Sequence, residues 1–330
     1  MSLDTLSPAL QTLFAELLQQ TETAPQAGSV YRRTLAGGEY IYAKVPVGAT
    51  RIDRFVGRSG DPEAEARAAA FQQGARLAAQ RRRLVGMLRR ERLSAPDRTT
   101  GAVLDALAQA GLFRAGAVLV GTAAYLLSEP LVGARLPSAT LMTADLDLAA
   151  ASVALAAEPP EPLETILKRA DPSFEGVPQL TPKAPPSRYR NAQGYLVDLV
   201  TPTRTRNDSN PVPLQGLDAG AAPLQHLAWL IETPVRTVSL WGAGAAVTVP
   251  HPARFATHKL ILAQKRDGAG RLKRAKDLAQ ARALIEALQT QDPFALEDAI
   301  QDAAGRGESG WRAPLMRSLK ELGLVHLLEG

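Results

Sequence analysis

Residues 143–149 read TADLDLA, which places two aspartates one residue apart inside an otherwise apolar stretch. Side chains alternate along a strand, so Asp145 and Asp147 would share one face while Leu146 and Leu148 occupy the other. Two carboxylates on one face repel each other unless a cation lies between them. Oxygen ligands favour Mg²⁺ or Mn²⁺ over Zn²⁺. The alternative is a strand edge that faces water, and a D-x-D pattern alone is weak evidence for a metal site.

A second apolar run downstream also holds an isolated carboxylate. In GYLVDLVTP, residues 194–202, Asp198 lies in the middle of a predicted strand. A carboxylate in a β core needs a partner, because an uncompensated buried charge is costly. If this strand lies beside the first, three carboxylates converge on one place and would hold divalent ions and a triphosphate. The alternative for Asp198 is an ion pair with Arg188 or Arg190.

A glycine corner precedes the aspartates. In VLVGTAAYLL, residues 118–127, a short apolar strand ends at Gly121 and Thr122, and a helical segment follows. Glycine at such a corner lets backbone N–H groups approach a phosphate, and a helix N-terminus favours an anion. The Thr122 hydroxyl would add another donor. The alternative is an ordinary helix cap without a ligand.

This order of elements resembles the nucleotidyltransferase superfamily of the DNA polymerase beta type. Its signature is a strand ending in Gly-Gly or Gly-Ser, a strand with two acids one residue apart, and a third carboxylate. Thr122 stands where serine is usual and keeps the hydroxyl. Residues 98–125, 136–149 and 249–262 look still more like a bacterial family known only as nucleotidyltransferase-like, and that likeness covers most of residues 30–290.

The resemblance implies a site and a reaction. Asp145 and Asp147 would ligate Mg²⁺ or Mn²⁺, and Asp198 would complete the metal site and take the proton from an acceptor hydroxyl. Gly121 and Thr122 would hold the phosphates of a nucleoside triphosphate. The hydroxyl would attack the α-phosphorus in line, and pyrophosphate would leave. Positioning and charge neutralisation supply most of the catalysis in such chemistry.

The resemblance also directs attention to lysines in the C-terminal part. In related nucleotidyltransferases a helical domain after the catalytic sheet often supplies a lysine to the triphosphate. In HKLILAQKRDGAGRLKRAKDL, residues 258–278, Lys259 is the first candidate and Lys276 the second. The alternative is ordinary helix surface charge, with Lys276 and Asp277 as a structural pair.

The basic character of the chain is concentrated in one segment. The net charge is +5, and residues 71–93 hold seven arginines against the single acid Glu91. The segment has a helical apolar rhythm, and a basic helix suits a polyanion such as RNA or nucleotide phosphates. The alternative is a solvated face whose arginines pair with acids such as Glu63 and Glu65, since no aromatic residues interleave with them. The candidate nucleic-acid-binding residues are Arg81, Arg82, Arg83, Arg89 and Arg90.

Composition excludes several classes of protein. The chain has 330 residues and no cysteine, which excludes disulfides, thiolate nucleophiles, zinc fingers and iron–sulfur clusters and fits a reducing, cytoplasmic compartment. The start, MSLDTLSPAL, lacks the basic region of a secretory signal. The longest uncharged apolar run, residues 115–128, is shorter than the roughly 20 residues of a spanning helix. We therefore predict a cytoplasmic protein without a membrane partner.

The sequence predicts an α+β fold with a nucleotidyltransferase-type mixed sheet. We expect an N-terminal region at 1–95 with a helix, a small β unit turning at Gly37 and Gly38, and the basic helix. A catalytic domain at 96–205 and a mostly helical C-terminal domain at 206–330 would follow, with helices at 223–232 and after 252 and a hairpin turning at 242–244.

The predicted function is metal-dependent transfer of a nucleoside monophosphate from a nucleoside triphosphate to an acceptor hydroxyl. The arginine-rich helix favours an RNA 3′ end as acceptor, and a protein or a small molecule is the other option. The main alternative is a non-catalytic module that binds nucleotide or RNA on a degenerate nucleotidyltransferase fold. A nuclease that uses the same ions is a third, weaker alternative.

Overall fold

The structure is a computed structural model that describes residues 3–47, 50–137, 145–150, 161–179, 184–203, 210–266 and 270–329. Within these ranges, helices surround a mixed sheet, and the predicted α+β fold class is confirmed. The start of the predicted strand before Asp145 and the residues around the predicted boundary at 205/206 lie outside the described residues.

The N-terminal region folds as helix α1 (Pro8–Thr23), strands β1 (Ser29–Leu35), β2 (Gly38–Val47) and β3 (Thr50–Arg58), and helix α2 (Pro62–Arg90). The strands form an antiparallel sheet in the order β1–β2–β3, called the N-terminal sheet below. Gly37 has a φ of +108°, which glycine adopts readily, and it turns the predicted hairpin between β1 and β2. Asp61 begins α2 by accepting from the Glu63 N–H, as its position before a proline predicts.

One face of the N-terminal sheet packs on α2. Ile41, Ala43 and Val45 alternate along β2 and are buried against Ala64 and Ala68 of the helix. This cluster is separate from the main hydrophobic core of the described residues. The opposite face of the N-terminal sheet is not covered by α2, since side chains alternate across a strand.

The central region contains α3 (Arg98–Gln109), β4 (Val118–Val120), α4 (Gly121–Leu126), β5 (Asp145–Ala149), α5 (Leu163–Lys168), β6 (Glu175–Gly176), β7 (Arg188–Arg190), β8 (Leu196–Pro202), β9 (Val212–Leu214) and β10 (Ala219–Leu224). The described strands pair in the order β4–β5–β8–β10–β9. β5, β8 and β10 run parallel, and β4 and β9 are antiparallel to their neighbours. β7 pairs with the first part of β8 and with β6.

The C-terminal region contains α6 (Leu227–Leu230), the hairpin of β11 (Pro234–Ser239) and β12 (Ala245–Pro250), and helices α7 (Pro252–Ala263), α8 (Arg271–Gln291), α9 (Pro293–Gly305), α10 (Ala313–Leu322) and α11 (His326–Glu329). The predicted hairpin is confirmed. The predicted helix at 223–232 is wrong in its first half, because Pro223 and Leu224 pair with β8 and His226 adopts a φ of +64°. Pairing with the sheet therefore overrides the helical pattern there.

The main hydrophobic core runs without a break from the central sheet into the C-terminal helices. A second cluster joins α1 to the C-terminal half of α2 and to β11. The domain boundaries at 95/96 and 205/206 stay predictions. Among the described residues, no helix is both long enough and apolar enough to cross a membrane.

Two glycines of α2 provide a test of how this helix is packed. A Cβ at Gly74 would lie 2.4 Å from the Gln26 carbonyl oxygen and 2.5 Å from that of Pro25, whereas a Cβ at Gly86 meets nothing within 4 Å. We expect Gly74→Ala to lower the free energy of unfolding by about 1–3 kcal/mol through overpacking. Gly86→Ala should raise it by up to about 1 kcal/mol through helix propensity. Urea unfolding measures both, and equal shifts for the two variants would contradict the packing described.

Candidate active site

The two aspartates of the D-x-D pattern lie on one face of β5. Asp145 and Asp147 are partly exposed, whereas Leu146 and Leu148 are at most 1% exposed on the opposite face. The parallel register pairs Asp147 directly with Asp198 of β8. Paired residues of neighbouring strands point to the same side, so the sheet brings Asp198 beside the first two carboxylates. Parallel pairing of the two strands is therefore what assembles the cluster.

Asp198 is held in a bidentate ion pair. The Arg188 Nε donates to Asp198 Oδ1 at 2.6 Å, and Arg188 Nη2 donates to Oδ2 at 2.7 Å. β7 places Arg188 opposite Asp198 on the side of β8 away from β5. The ion pair with Arg188, which the sequence offered as the alternative to a metal ligand, is thus present. It occupies both oxygens of the third carboxylate.

Gly121 forms a close contact with the second aspartate. β4 is antiparallel to β5, and Val120 pairs with Asp147, so the following residue turns directly over that carboxylate. Gly121 has a φ of +70°, and a Cβ built there would lie 2.2 Å from Asp147 Oδ2. Only glycine fits both constraints. Thr122 follows in the first turn of the short helix α4 and is partly exposed at the same corner.

The aspartate face carries uncompensated negative charge. Burial, and then the charges of Asp145 and Asp198, raise the pKa of Asp147 to about 6, while Lys259 and Lys273 oppose this rise. Neither Asp145 nor Asp147 forms an ion pair within the described ranges. A face of this kind attracts a cation, since a counter-charge would offset the repulsion.

Lys259 is buried and belongs to a charged cluster. Its Nζ donates to Asp277 Oδ1 at 2.7 Å, and Arg266 Nε donates to Asp277 Oδ2 at 3.0 Å. Lys259 and Asp277 are 8% and 2% exposed, respectively. The sequence offered a structural pair of Lys276 with Asp277 as the alternative. In the structure, Asp277 pairs with Lys259 and Arg266. The charge of Lys259 nevertheless acts on Asp147, so the residue lies near the aspartate face.

Two lysines of α8 interact electrostatically with the aspartates. Burial and the charge of Lys259 lower the pKa of the Lys276 ammonium, whereas Asp145 acts in the opposite direction. The sequence reasoning did not select Lys273, whose charge acts on Asp147. Their spacing could have identified Lys273 together with Lys276, because residues three apart share a helix face. Lys259 of α7 and the two lysines of α8 therefore lie close enough to the aspartates for their charges to interact.

The described residues contain no group of three or more His, Asp or Glu side chains placed to hold a metal ion. Asp198, the third residue of the predicted metal centre, is paired with Arg188. Asp145 and Asp147 still offer hard oxygen donors on one face. Mg²⁺ is commonly held by one or two carboxylates together with substrate phosphates, and this pair fits that donor set.

The arginine-rich helix divides into two kinds of residue. Arg81 is partly buried and donates to the carbonyl oxygens of Ala243 and Gln20, so it ties α2 to α1 and to the β11–β12 hairpin. In the described structure, the other four candidates are exposed and form no ion pair; they are Arg82, Arg83, Arg89 and Arg90. Glu65, one of the acids proposed to neutralise them, pairs with Arg32.

Gly121→Ala tests the contact between the glycine corner and Asp147. The substitution places a side chain at positive φ and against Asp147 Oδ2, so we expect a loss of about 1–3 kcal/mol in the free energy of unfolding. Gly242→Ala is the matched control, since Gly242 also has positive φ but no neighbour within 4 Å. The free energy of unfolding that Gly121→Ala loses beyond the loss of Gly242→Ala should be smaller when Asp147→Ala is also present. The reason is that the effects of residues in contact are not additive. Unchanged excess loss would contradict the contact.

Asp277→Asn tests the buried charge cluster. The substitution leaves Lys259 buried with a neutral partner, and breaking such a pair costs about 3–5 kcal/mol. The double variant Lys259→Met, Asp277→Leu removes both charges and should recover most of the loss, which denaturant unfolding measures. A loss below about 1 kcal/mol for Asp277→Asn would show that the pair is not buried as described.

Comparison with known proteins identifies the family of the chain. No curated protein matches the chain. Among solved structures, the crystal structure of an antigenic nucleotidyltransferase-like protein from Paracoccidioides brasiliensis is 20% identical, covers 69% of this chain and 94% of that chain, and has a TM-score of 0.34. The family model described as Nucleotidyltransferase matches residues 98–305, which is more than half of the chain. The chain therefore belongs to the nucleotidyltransferase family.

Proposed function

We propose that this protein is a metal-dependent enzyme that transfers a nucleoside monophosphate from a nucleoside triphosphate to an acceptor hydroxyl and releases pyrophosphate. The observation that carries the proposal is the uncompensated pair Asp145 and Asp147 on one face of β5, closed on one side by Gly121. Family membership supports nucleotidyl transfer in general. The residue roles, the metal and the acceptor are our inferences from the site.

The proposed metal ligands are Asp145 and Asp147. Their oxygen donors fit Mg²⁺ or Mn²⁺. Burial first, and then the charges of Asp145 and Asp198, raise the pKa of Asp147, and a bound cation would offset both effects. When bound, such an ion neutralises charge on the triphosphate and on the departing pyrophosphate. Asp198 stands next to this pair but would contribute as a ligand only after exchanging its bond with Arg188.

The chain's own residues would bind and orient the reactants. Lys273 and Lys276 would bring positive charge to the triphosphate, and Lys259, which is buried against Asp277, would add to the positive potential there. The backbone at Gly121 and the Thr122 hydroxyl would hold phosphate oxygens at the glycine corner. Once it has exchanged a bond with Arg188, Asp198 would accept the proton of the acceptor hydroxyl as the oxygen of that hydroxyl bonds to the α-phosphorus. The bond from the α-phosphorus to the bridging oxygen then breaks, and pyrophosphate leaves with that electron pair.

The favoured acceptor is an RNA 3′ end. Arg82, Arg83, Arg89 and Arg90 leave four exposed guanidinium groups on the C-terminal half of α2 without an acidic partner in the described ranges. Such a face attracts phosphate groups, and arginine binds them with a fixed fork of donors. A protein or small-molecule hydroxyl would not need this concentration of charge.

Incubation with α-labelled nucleoside triphosphates, Mg²⁺ or Mn²⁺ and total RNA tests the proposal. We expect label in RNA together with released pyrophosphate, and a loss of at least about 100-fold for Asp145→Asn or Asp147→Asn. Asp298→Asn, on an exposed part of α9, is the matched control and should leave transfer unchanged. Chelation with EDTA should abolish transfer. No label in any acceptor, or equal transfer by the aspartate variants, would contradict the proposal.

The second candidate is a non-catalytic module that binds nucleotide or RNA. The bidentate pair of Arg188 with Asp198 favours it, because this pair engages the third carboxylate. Calorimetric titration with a non-hydrolysable triphosphate separates the two candidates when combined with the transfer assay. Binding by the wild type with no transfer, and no transfer by Arg188→Gln, would support the module.

A further inference from the structure

The outer face of the N-terminal sheet carries four aromatic side chains, of which Phe55 is exposed and three tyrosines are partly exposed. Three of the protein's six tyrosines lie there, whereas Tyr125, Tyr189 and Tyr195 are buried in the main core. The outer-face aromatic residues are Tyr31, Tyr40, Tyr42 and Phe55. Phe55 is 58% exposed, which is unusual because burying a phenylalanine side chain is favourable. An exposed aromatic surface of this kind is typical of a binding site.

The rings form a continuous surface because the strand register places them in rows. Tyr31 pairs with Tyr42, and Tyr42 pairs with Phe55, so this row crosses all of β1, β2 and β3. The ring centroids of Tyr31 and Tyr42 are 5.6 Å apart, and those of Tyr42 and Phe55 are 5.5 Å apart. Tyr40, in the adjacent row, lies 6.1 Å from Phe55.

Positive charge borders the aromatic row on both sides. Arg33 and Arg58 flank Tyr40 in its row, and Lys44 lies in the next row with its Nζ 5.6 Å from the Tyr31 centroid. With Arg51 near the end of the sheet, the outer face has four cations against one acid, Asp53, a net charge of +3. The Tyr31 hydroxyl hydrogen-bonds with that single acid.

We infer that the outer face of the N-terminal sheet binds single-stranded nucleic acid. Aromatic rings on an open sheet accept unpaired bases by stacking, and the bordering cations neutralise the phosphates between those bases. A duplex would not bind in this way, because its bases are already stacked on each other. The inference is independent of the transfer chemistry and of the arginine-rich half of α2.

The N-terminal sheet and the exposed arginines occupy different parts of α2. The sheet packs on Ala64 and Ala68, near the start of the helix, whereas Arg82 and Arg90 lie near its end. At about 1.5 Å per residue these parts are some tens of ångströms apart. The sheet would therefore bind nucleic acid at a place distant from the exposed arginines.

Fluorescence anisotropy with labelled oligouridine and oligothymidine of about 12 nucleotides tests the inference. The titrations are made in EDTA without triphosphate, on the wild type and on Asp147→Asn, so that binding is measured apart from transfer. We expect the dissociation constant to rise at least about fivefold for Phe55→Ala and for Tyr42→Leu, as each removes a stacking ring. Phe294→Ala is the matched control, since Phe294 is 79% exposed on α9, and it should bind like the wild type.

Salt dependence provides a second readout. Up to four phosphate contacts predict a slope of log K against log salt as steep as about −3 for this face, and Arg33→Gln with Lys44→Gln should make it shallower by about 1.4.

Binding of both oligomers supports the inference, and binding of oligouridine alone supports it and assigns RNA. Equal affinity of wild type and both ring variants would overturn it, as would equal affinity for duplex RNA. Loss of a dimer in Phe55→Ala without nucleic-acid binding would also overturn it, because the face would then join two copies of the chain.

Discussion

The parallel pairing of β5 with β8 is the constraint on which the candidate site depends. This register places Asp147 beside Asp198, with apolar residues on the opposite face of both strands. A slip of one residue would turn the carboxylates into the core and the leucines outward, at a large cost. The hydrophobic core therefore fixes the positions of the aspartates. Gly121 depends on the same register, because it turns over Asp147 without a side chain in the way.

Charge balance distinguishes the parts of the site. Asp277 is compensated by Lys259 and Arg266, and Asp198 is compensated by Arg188. Asp145 and Asp147 have no such partner in the described ranges. Burial, and then the charges of Asp145 and Asp198, raise the pKa of Asp147. Lys259 and Lys273 act on the charge of Asp147 without forming an ion pair with it in the described ranges. This arrangement is consistent with a site completed by a cation and a triphosphate.

The N-terminal region adds two positively charged surfaces of different character. The end of α2 presents arginines without aromatic residues, and the N-terminal sheet presents aromatic rings bordered by cations. The first suits phosphate groups and the second suits unpaired bases. Both surfaces lie outside the matched family region at 98–305, so the family match does not account for them.

Local pattern in the sequence determined the strands with Asp145, Asp147 and Asp198, the corner at Gly121, and most helices, because alternation and glycine chemistry depend on neighbouring residues. Tertiary structure alone decided which residues distant in sequence come into contact. Strand β7 places Arg188 opposite Asp198, and Asp277 pairs with Lys259 and Arg266. Pro223 lies in a strand although the neighbouring residues favour a helix. The aromatic rows also emerged only from strand register, since residues far apart in sequence become neighbours when strands pair.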